Sequence, residues 1–295
     1  MKQTGAGKRH HFLLPAPRWG ATITISARNP TIASRPTGGL AFPRRRGQTR
    51  GDMDQFSEEF VLNGAVTYWS VDREQTLLLR SLFEFLQEAA IKHADQADSG
   101  TRAKALRGET WVLHRVAAAV QRYPRYEEPL KVVTWSTGIR AFKGYRDFRV
   151  YCGSELIASA SSIWLYFSLV NKALCRVPRE VAARFPSRPG DSFCPDLEKL
   201  SLAPPAAGAP AVTVSLRYSD VDGNGHINNT AYLDCLQTAL ARSGLPPRPR
   251  SLQMQFTKEI HPDAVSVAVG IERRSQAVAF GMTGPAGLAA NGLVA

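Results

Sequence analysis

Residues 217–232 read RYSDVDGNGHINNTAY and place chemically versatile side chains between a predicted strand and a predicted helix. Ten consecutive residues hold two carboxylates, one histidine and three asparagines: Asp220, Asp222, Asn224, His226, Asn228 and Asn229. Gly223 and Gly225 allow the backbone to turn tightly between them. A polar, capped turn uses the same residue types. A histidine just before a helix N-terminus, whose free N–H groups attract negative charge, favours a functional site instead.

The elements around this segment predict an α+β pattern. A helix over residues 229–242 follows the segment, and Asn228 or Asn229 is suited to cap it. Strand-like runs lie on both sides, at residues 211–217, 251–258, 265–271 and 277–282, with a last strand after the turn at 284–287. One long apolar helix needs a cover, and a curved antiparallel sheet can wrap it.

The first half of the chain repeats this order. A helix over residues 81–93 carries an apolar face at helical spacing, and strand-like runs surround it at 60–69, 111–122, 130–137, 145–152 and 155–167. At an offset of about 150 residues, Val71-Asp72 falls on Val221-Asp222. We therefore expect a duplicated unit. No Asn or His follows Asp72 as they follow Asp222, so the first half is expected to lack an active site.

Positive charge is concentrated at the N-terminus. Residues 1–51 hold ten of the 37 Lys and Arg residues and no acid, so the rest of the chain carries 27 cations against 25 acids. This composition predicts a disordered basic extension, with a transit peptide or an anion-binding arm as alternatives. The near-neutral body argues against nucleic-acid binding. No apolar run suits a membrane span, and four cysteines without CxxC spacing predict neither a zinc site nor disulfides.

Motifs in both halves resemble one known family. The pattern DxDxNxHxNNxxY, at residues 220–232, resembles the signature of the fatty acyl-ACP thioesterases of bacteria and plants. Further resemblances lie in the first half, at Thr134-Trp135, Gly144–Phe148, Ser161–Trp164 and Arg176–Pro178. The similarity covers about residues 56–290 and implies a tandem (double) hot-dog, each a long helix wrapped by a curved antiparallel sheet.

The resemblance and the composition together predict a domain division. We expect a disordered basic extension, an N-terminal hot-dog with the acyl-chain pocket, a linker and a catalytic C-terminal hot-dog, at residues 1–52, 53–178, 179–210 and 211–295. Proline and charge with little periodicity predict the linker. A double hot-dog is an internal dimer, so both a monomer and a homodimer are compatible with it.

The resemblance also implies four catalytic positions, Asp222, Asn224, His226 and Glu259. Plant members carry a cysteine after that glutamate, and here the position is Ile260, so a cysteine nucleophile at this position is excluded. Cys235 lies among apolar residues in the middle of a predicted helix and is expected in the core. Neither a metal nor another cofactor is expected.

Thioester hydrolysis needs an activated water or a carboxylate nucleophile, together with stabilisation of an oxyanion. A thiol leaves readily because its pKa is about 8.5. We assign Asp222 as nucleophile or general base, and both roles stay open. Glu259 shares water activation, and Asn224 and His226 orient the reacting groups. N–H groups near residues 227–229 are expected to bind the oxyanion.

The sequence therefore predicts a thioesterase that hydrolyses fatty acyl-ACP to free fatty acid and holo-ACP, with acyl carrier protein as partner. The alternatives are an acyl-CoA thioesterase of the hot-dog type and a non-catalytic acyl-binding hot-dog protein. A cytoplasmic location is expected, or a plastid if the extension is a transit peptide.

Several residues outside the signature segment also carry structural expectations. His114 in a strand is predicted to be structural, His93 to end a helix and His261 to be exposed. Pro124 is expected roughly where Glu259 would repeat. The cationic run Lys143, Arg146 and Arg149 is interpreted as a solvated strand face or, alternatively, as a docking surface for the acidic carrier protein.

Overall fold

The computed structural model describes residues 58–295, and the predicted extension over residues 1–52 lies outside them. The helices and strands of the first half are β1 (Glu59–Ala65), α1 (Leu79–Gln96), α2 (Thr101–Arg107), β2 (Glu109–Val120), β3 (Pro129–Arg140), β4 (Lys143–Cys152) and β5 (Glu155–Ser168). Those that follow are β6 (Ala173–Leu174), α3 (Arg179–Ala183), β7 (Ala211–Ser215), α4 (Asn229–Arg242), β8 (Ser251–Phe256), β9 (Ser266–Arg273), β10 (Val278–Gly284) and β11 (Gly287–Val294).

The described strands form one antiparallel sheet. Its order is β1-β3-β4-β5-β2-β8-β11-β10-β9-β7, and β6 pairs with β5. At its centre β2 and β8 run antiparallel, with Ala118 opposite Leu252. Outward from this pair, the strands follow in equivalent order on both sides, β2-β5-β4-β3-β1 and β8-β11-β10-β9-β7. This symmetry supports the predicted duplication.

The two long helices begin at equivalent positions of the two halves. α1 begins at Leu79 and α4 at Asn229, the same offset at which the two sequences overlay. The backbone N–H of Leu79 donates to Oε1 of Gln237 across the helix pair at 3.1 Å. Fully buried leucines of both helices join one hydrophobic core, namely Leu79, Leu82, Leu233, Leu236 and Leu240. Each such burial stabilises the fold by about 1.5–3 kcal/mol.

Two local elements differ from the sequence prediction. The strand predicted over residues 60–69 ends at Ala65, and a 3₁₀ turn at Tyr68–Ser70 follows. Oγ of Ser70 accepts from the backbone N–H of Thr67 at 3.0 Å, a local bond that competes with strand pairing. Helix α2 was not predicted, because seven residues between Gly100 and Gly108 are too few to show a helical period.

The segment predicted as a linker, residues 179–210, packs against the sheet and carries the short helix α3. Asp147 of β4 holds this segment against the sheet. The buried carboxylate of Asp147 accepts from the hydroxyl of Ser192 at 3.1 Å and from the N–H of Phe193. The hydroxyl of Ser161 donates to the same carboxylate at 2.9 Å. Burial raises the pKa of Asp147, and these hydrogen bonds partly oppose the rise.

The cationic run of β4 is not a solvated face, and this prediction was wrong. Arg146 is buried, and its Nη1 contacts Nδ1 of His93 at 3.0 Å. Burial lowers the pKa of Arg146 to about 10. Lys143 forms an ion pair with Glu198, and Arg149 donates to the carbonyl of Asp191 at 2.9 Å. These cations are used within the fold, so they do not form a free docking patch.

Candidate active site

The signature segment forms a tight reverse turn between a 3₁₀ turn and α4. The N–H of Asp222 donates to the carbonyl of His226 at 2.9 Å, and the N–H of Gly225 donates back to the carbonyl of Asp222 at 3.0 Å. Gly225 has a φ of 80°, in the left-handed region that glycine tolerates best. The turn therefore presents the side chains of residues 222–226 together on one side of the helix N-terminus.

Asp220 anchors this turn through its hydrogen bonds. Its buried carboxylate accepts from Nη1 of Arg80 at 2.8 Å and from the backbone N–H of Arg217 at 2.8 Å. Burial alone would raise its pKa, but the hydrogen bonds from Arg217 and Arg80 outweigh burial and hold the pKa below its usual value. Its carbonyl accepts from the N–H of Asn228 at 2.8 Å, which joins the anchor to the helix cap.

The four predicted catalytic residues form two contacting pairs. Asn224 donates its backbone N–H to Oδ1 of Asp222 at 2.7 Å, and its Nδ2 lies 3.3 Å from Oδ2 of the same carboxylate. Nε2 of His226 lies 3.0 Å from Oε2 of Glu259. The side chains of His226 and Glu259 are 37% and 60% exposed, so bulk water can reach the second pair.

Backbone bonds hold the segment that carries Glu259 against the turn. Glu259 follows the end of β8, and the next residue, Ile260, accepts from the N–H of Ile227 at 3.2 Å. The N–H of Ile260 in turn donates to the hydroxyl of Tyr232 at 3.2 Å. Burial raises the pKa of Tyr232 well above its ordinary value, so the hydroxyl stays protonated. The hydrogen bonds of Ile260 with Ile227 and Tyr232 therefore hold the segment of Glu259 close to the segment of His226.

All four residues line one cavity of about 1420 Å³. Its further walls come from α1, α2 and β2 to β5, and include Gln87, Ile91, Trp111, Leu113 and Trp164. β8 and β4 are three strand spacings apart in the sheet order, and at about 4.8 Å each this amounts to about 14 Å. A cavity with mainly apolar walls and a few polar groups at one place is typical of a ligand site.

The predicted oxyanion site at the start of α4 needs correction. Two of the three N–H groups already have acceptors, since Ile227 donates to Ile260 and Asn228 donates to Asp220. The side chain of Asn228 accepts from the N–H of Thr230 at 2.8 Å and so caps the helix. Among the groups described in residues 58–295, the N–H of Asn229 has no acceptor, so it is the one left for an oxyanion.

Two cations that bind the signature turn were not predicted from the sequence. Arg80 of α1 binds Asp220, as described above. Lys104 of α2 donates from Nζ to the carbonyl of Gly223 at 2.9 Å and to Oδ1 of Asn224. No local signal could have found either residue, because more than a hundred positions separate each from its partner.

The equivalent turn of the first half lacks the second catalytic pair. The N–H of Asp72 donates to the carbonyl of Thr76 at 2.9 Å, so Thr76 stands where the second half has His226. The N–H of Leu77 donates to the carbonyl of Pro124 at 2.9 Å, as Ile227 does to Ile260. Pro124 is therefore equivalent to Ile260, and Tyr123 is equivalent to Glu259. The equivalent residue lies one position before Pro124, which the sequence placed roughly there. With Thr76 in place of His226 and Tyr123 in place of Glu259, the prediction that this half has no active site is unchanged.

The other three histidines within residues 58–295 occupy different surroundings. His114 is the extra residue of a bulge in β2, lines the cavity, and has Nδ1 3.2 Å from the carbonyl of Phe256. Burial lowers its pKa. Strand bulges often lie next to sites, and the predicted structural role of His114 stays a prediction. His93 is buried against Arg146, and His261 is exposed, as predicted.

The four cysteines are free thiols in the structure. Cys235 is buried in α4, and burial raises its pKa to about 12, so the sequence prediction that it belongs to the core is confirmed. Within residues 58–295, His, Cys, Asp and Glu side chains form no group of three or more suited to a metal ion. In the same part of the chain, no helix is long and apolar enough to cross a membrane.

Comparison with solved structures identifies the fold. An acyl-ACP thioesterase from Bacteroides thetaiotaomicron aligns with a TM-score of 0.69 at 20% identity, over 80% of this chain and 97% of that one. A 12:0-ACP thioesterase from Umbellularia californica aligns with a TM-score of 0.68 at 17% identity, over 81% of this chain and 96% of that one. These similarities confirm the predicted α+β hot-dog fold.

Sequence comparison gives the family. The chloroplastic palmitoyl-acyl carrier protein thioesterase of Gossypium hirsutum is 25% identical over 219 residues, which cover 70% of this chain and 53% of that protein. The chain thus spans about half the length of the first curated relatives it matches. The model of the acyl-ACP thioesterase N-terminal domain matches residues 55–185, and that of the C-terminal domain matches residues 209–280. Since these two matches cover more than half of the sequence, the chain belongs to the acyl-ACP thioesterase family.

Proposed function

We propose that this protein is a thioesterase that hydrolyses fatty acyl-ACP to free fatty acid and holo-ACP by a carboxylate-based mechanism. The observation that carries the proposal is the meeting of two polar pairs, Asp222–Asn224 and His226–Glu259, at one large cavity. The relatives are named as acyl-ACP thioesterases, which supports the same conclusion.

In the proposed reaction the acyl chain enters the cavity, and the thioester carbonyl lies beside Asp222. The carboxylate attacks the carbonyl carbon or takes a proton from a water that does so. Asn224 holds this carboxylate through two hydrogen bonds, so that its orientation is set before substrate arrives. The free N–H of Asn229 is the donor we assign to the developing oxyanion.

The second pair, His226 and Glu259, is proposed to bind and activate the hydrolytic water. Nε2 of His226 lies 3.0 Å from Glu259, so the carboxylate can orient the ring and stabilise positive charge on it. Such a pair can bind the hydrolytic water and accept its proton. The thiol of the carrier's prosthetic arm leaves as a thiolate or is protonated by the pair, and its pKa of about 8.5 makes either step easy.

The direct test compares two thioester substrates on the purified full chain. We expect kcat/KM for an acyl-ACP to exceed that for the acyl-CoA of the same chain length. The opposite preference would support the acyl-CoA thioesterase alternative. Absence of hydrolysis together with saturable binding of acyl-ACP would support the non-catalytic alternative. All four proposed catalytic positions carry the residues that the family motif has there, which argues against a non-catalytic acyl-binding protein.

The domain division predicted from the sequence stays part of the proposal. The cavity walls contributed by α1 and β2 to β5 support an acyl-chain pocket in residues 53–178. The four catalytic residues support residues 211–295 as the catalytic half, with residues 179–210 between them. The oligomeric state, monomer or homodimer, can be measured by light scattering of the purified chain.

The location of the protein is a separate proposal. The relatives from plants are named as chloroplastic, which supports the plastid alternative over a cytoplasmic location. The basic, acid-free composition of residues 1–51 supports it too. Fusion of residues 1–52 to a fluorescent protein tests this. Accumulation in plastids supports import, and diffuse fluorescence supports the cytoplasm.

A further inference from the structure

Lys104 crosses from the first half of the chain to the catalytic turn of the second half. It lies on α2, and its ammonium group donates to the carbonyl of Gly223 at 2.9 Å and to Oδ1 of Asn224. None of the catalytic assignments above includes it. Asn224 is the residue that holds the Asp222 carboxylate, so Lys104 is one residue removed from the reacting group.

The chemistry of the ammonium group determines which way the Asn224 amide points. A lysine ammonium has three donors and no acceptor, so it can face only the oxygen of an amide. With Oδ1 towards Lys104, Nδ2 is directed to Oδ2 of Asp222, 3.3 Å away. A rotated amide would place its NH₂ group against the ammonium and its oxygen against the carboxylate, and both contacts would be repulsive.

The duplicated half provides an internal comparison. There the cation comes from the segment after α4, where Arg248 reaches the turn of the first half. Nη1 of Arg248 lies 3.5 Å from the carboxylate of Asp72, the equivalent of Asp222, and Nη2 pairs with Glu74. In the inactive turn the cation thus contacts both the aspartate and Glu74, the equivalent of Asn224. In the active turn the cation contacts the carbonyl of Gly223 and Asn224, and Asn224 in turn contacts the aspartate.

We propose that Lys104 is a positioning residue of the active site, which fixes the amide of Asn224 so that this amide orients the Asp222 carboxylate. The proposal rests on the thioesterase function proposed above. It also gives α2 a role, because this short helix carries Lys104 across the boundary between the halves.

The test uses Lys104→Met in the full chain, with acyl-ACP hydrolysis followed at several substrate concentrations. Lys104→Met keeps the alkyl stem and removes the donors. We expect kcat to fall about tenfold or more, the usual consequence of losing a charged hydrogen bond, with KM within about twofold of the wild type. Lys104→Arg keeps a donor and a charge, and should restore most of kcat. An unchanged kcat in Lys104→Met would overturn the proposal, as would a rise in KM alone, which would indicate that Lys104 binds substrate.

A double-mutant cycle separates positioning through Asn224 from a general structural effect. If Lys104 acts through the amide, Lys104→Met should lower kcat no further in an Asn224→Ala background. Full additivity of the two changes would contradict the proposal. Arg248→Gln is the matched control, because it removes the equivalent cation from the inactive turn and should leave kcat unchanged.

The same set of variants distinguishes failure of this proposal from failure of the proposed function. If Asp222→Asn stays fully active, the site assignment itself is wrong. If Asp222→Asn is inactive and Lys104→Met has wild-type kcat, the site stands and the role of Lys104 is refuted. Thermal unfolding of each variant confirms that it is folded at the assay temperature.

Discussion

The backbone N–H of Ile227 donates to the carbonyl of Ile260 at 3.2 Å, and this bond joins the two segments that carry the His226–Glu259 pair. Ile227 immediately follows His226 and Ile260 immediately follows Glu259, the two residues of the proposed catalytic pair. Both isoleucines are also buried in the core, so the position of the exposed pair depends on packing beneath it.

Asp222→Asn should abolish most hydrolysis, because an amide is neither a nucleophile nor a base. We expect kcat to fall by about 10²–10⁴, the range for removal of a general base, with little change in stability. Steady-state hydrolysis of acyl-ACP measures the effect. Asp263→Asn is the control, since this nearby carboxylate is 89% exposed and pairs with the exposed His261. Comparable losses in both variants would contradict the assignment of Asp222.

His226→Ala and Glu259→Gln should be non-additive. If the two contacting side chains act on one water as a pair, as we propose, the double variant should have about the kcat of the less active single variant. Each single change is expected to lower kcat about 100-fold. Multiplication of the two effects in the double variant would show that the residues act independently. His261→Ala, on an exposed histidine two residues after Glu259, should retain full activity.

Tyr232→Phe should weaken both the fold and the site. It removes the hydroxyl that accepts from the N–H of Ile260 and leaves that buried donor without a partner. We expect a loss of about 1–3 kcal/mol in the free energy of unfolding, measured by urea denaturation. The activity should fall as well, because the segment with Glu259 loses one of its two ties. Full stability together with full activity would show that the bond is dispensable.

Asp220→Asn should reduce stability in a pH-dependent way. The pKa of Asp220 is lower in the folded chain than in the unfolded chain, so its ionised form contributes stability above about pH 4. This contribution is lost as the pH falls through the folded-state pKa. At pH 7 we expect the variant to lose about 2 kcal/mol of unfolding free energy, because Arg80 and Arg217 lose one of the two carboxylates that both arginines contact and keep Asp234. The difference from wild type should shrink on acidification, and a difference independent of pH would contradict the ion-pair explanation.

Ile91→Trp should shift the preferred acyl chain towards shorter lengths. Ile91 of α1 lines the cavity, and an indole at this position would occupy space needed by a long chain. Hydrolysis of a series of acyl-ACPs of increasing length measures the shift. Lys92→Trp places the same ring one residue away on the exposed face and should leave the profile unchanged. An unchanged profile in both variants would show that the chain does not extend to this wall.

Much of the fold could be predicted because its periodic signals are strong. The helix over residues 229–242 was predicted with the observed bounds, and the turn at residues 284–287 joins β10 to β11 as expected. The errors have local causes. Tyr68–Ser70 forms a side-chain-stabilised turn where apolar composition predicted a strand, and Arg146 is buried where its charge predicted exposure.

The sequence by itself determined which residues are available for chemistry, namely Asp222, Asn224, His226 and Glu259, and that the unit occurs twice. Residue type and local spacing are enough for that, because turns, caps and helical faces depend on neighbours along the chain. Only the tertiary structure decided that Lys104 meets Asn224, that the N–H of Ile227 is used by Ile260, and that Arg146 is inside. Such contacts form when the two halves join through β2 and β8, and sequence spacing carries no record of that geometry.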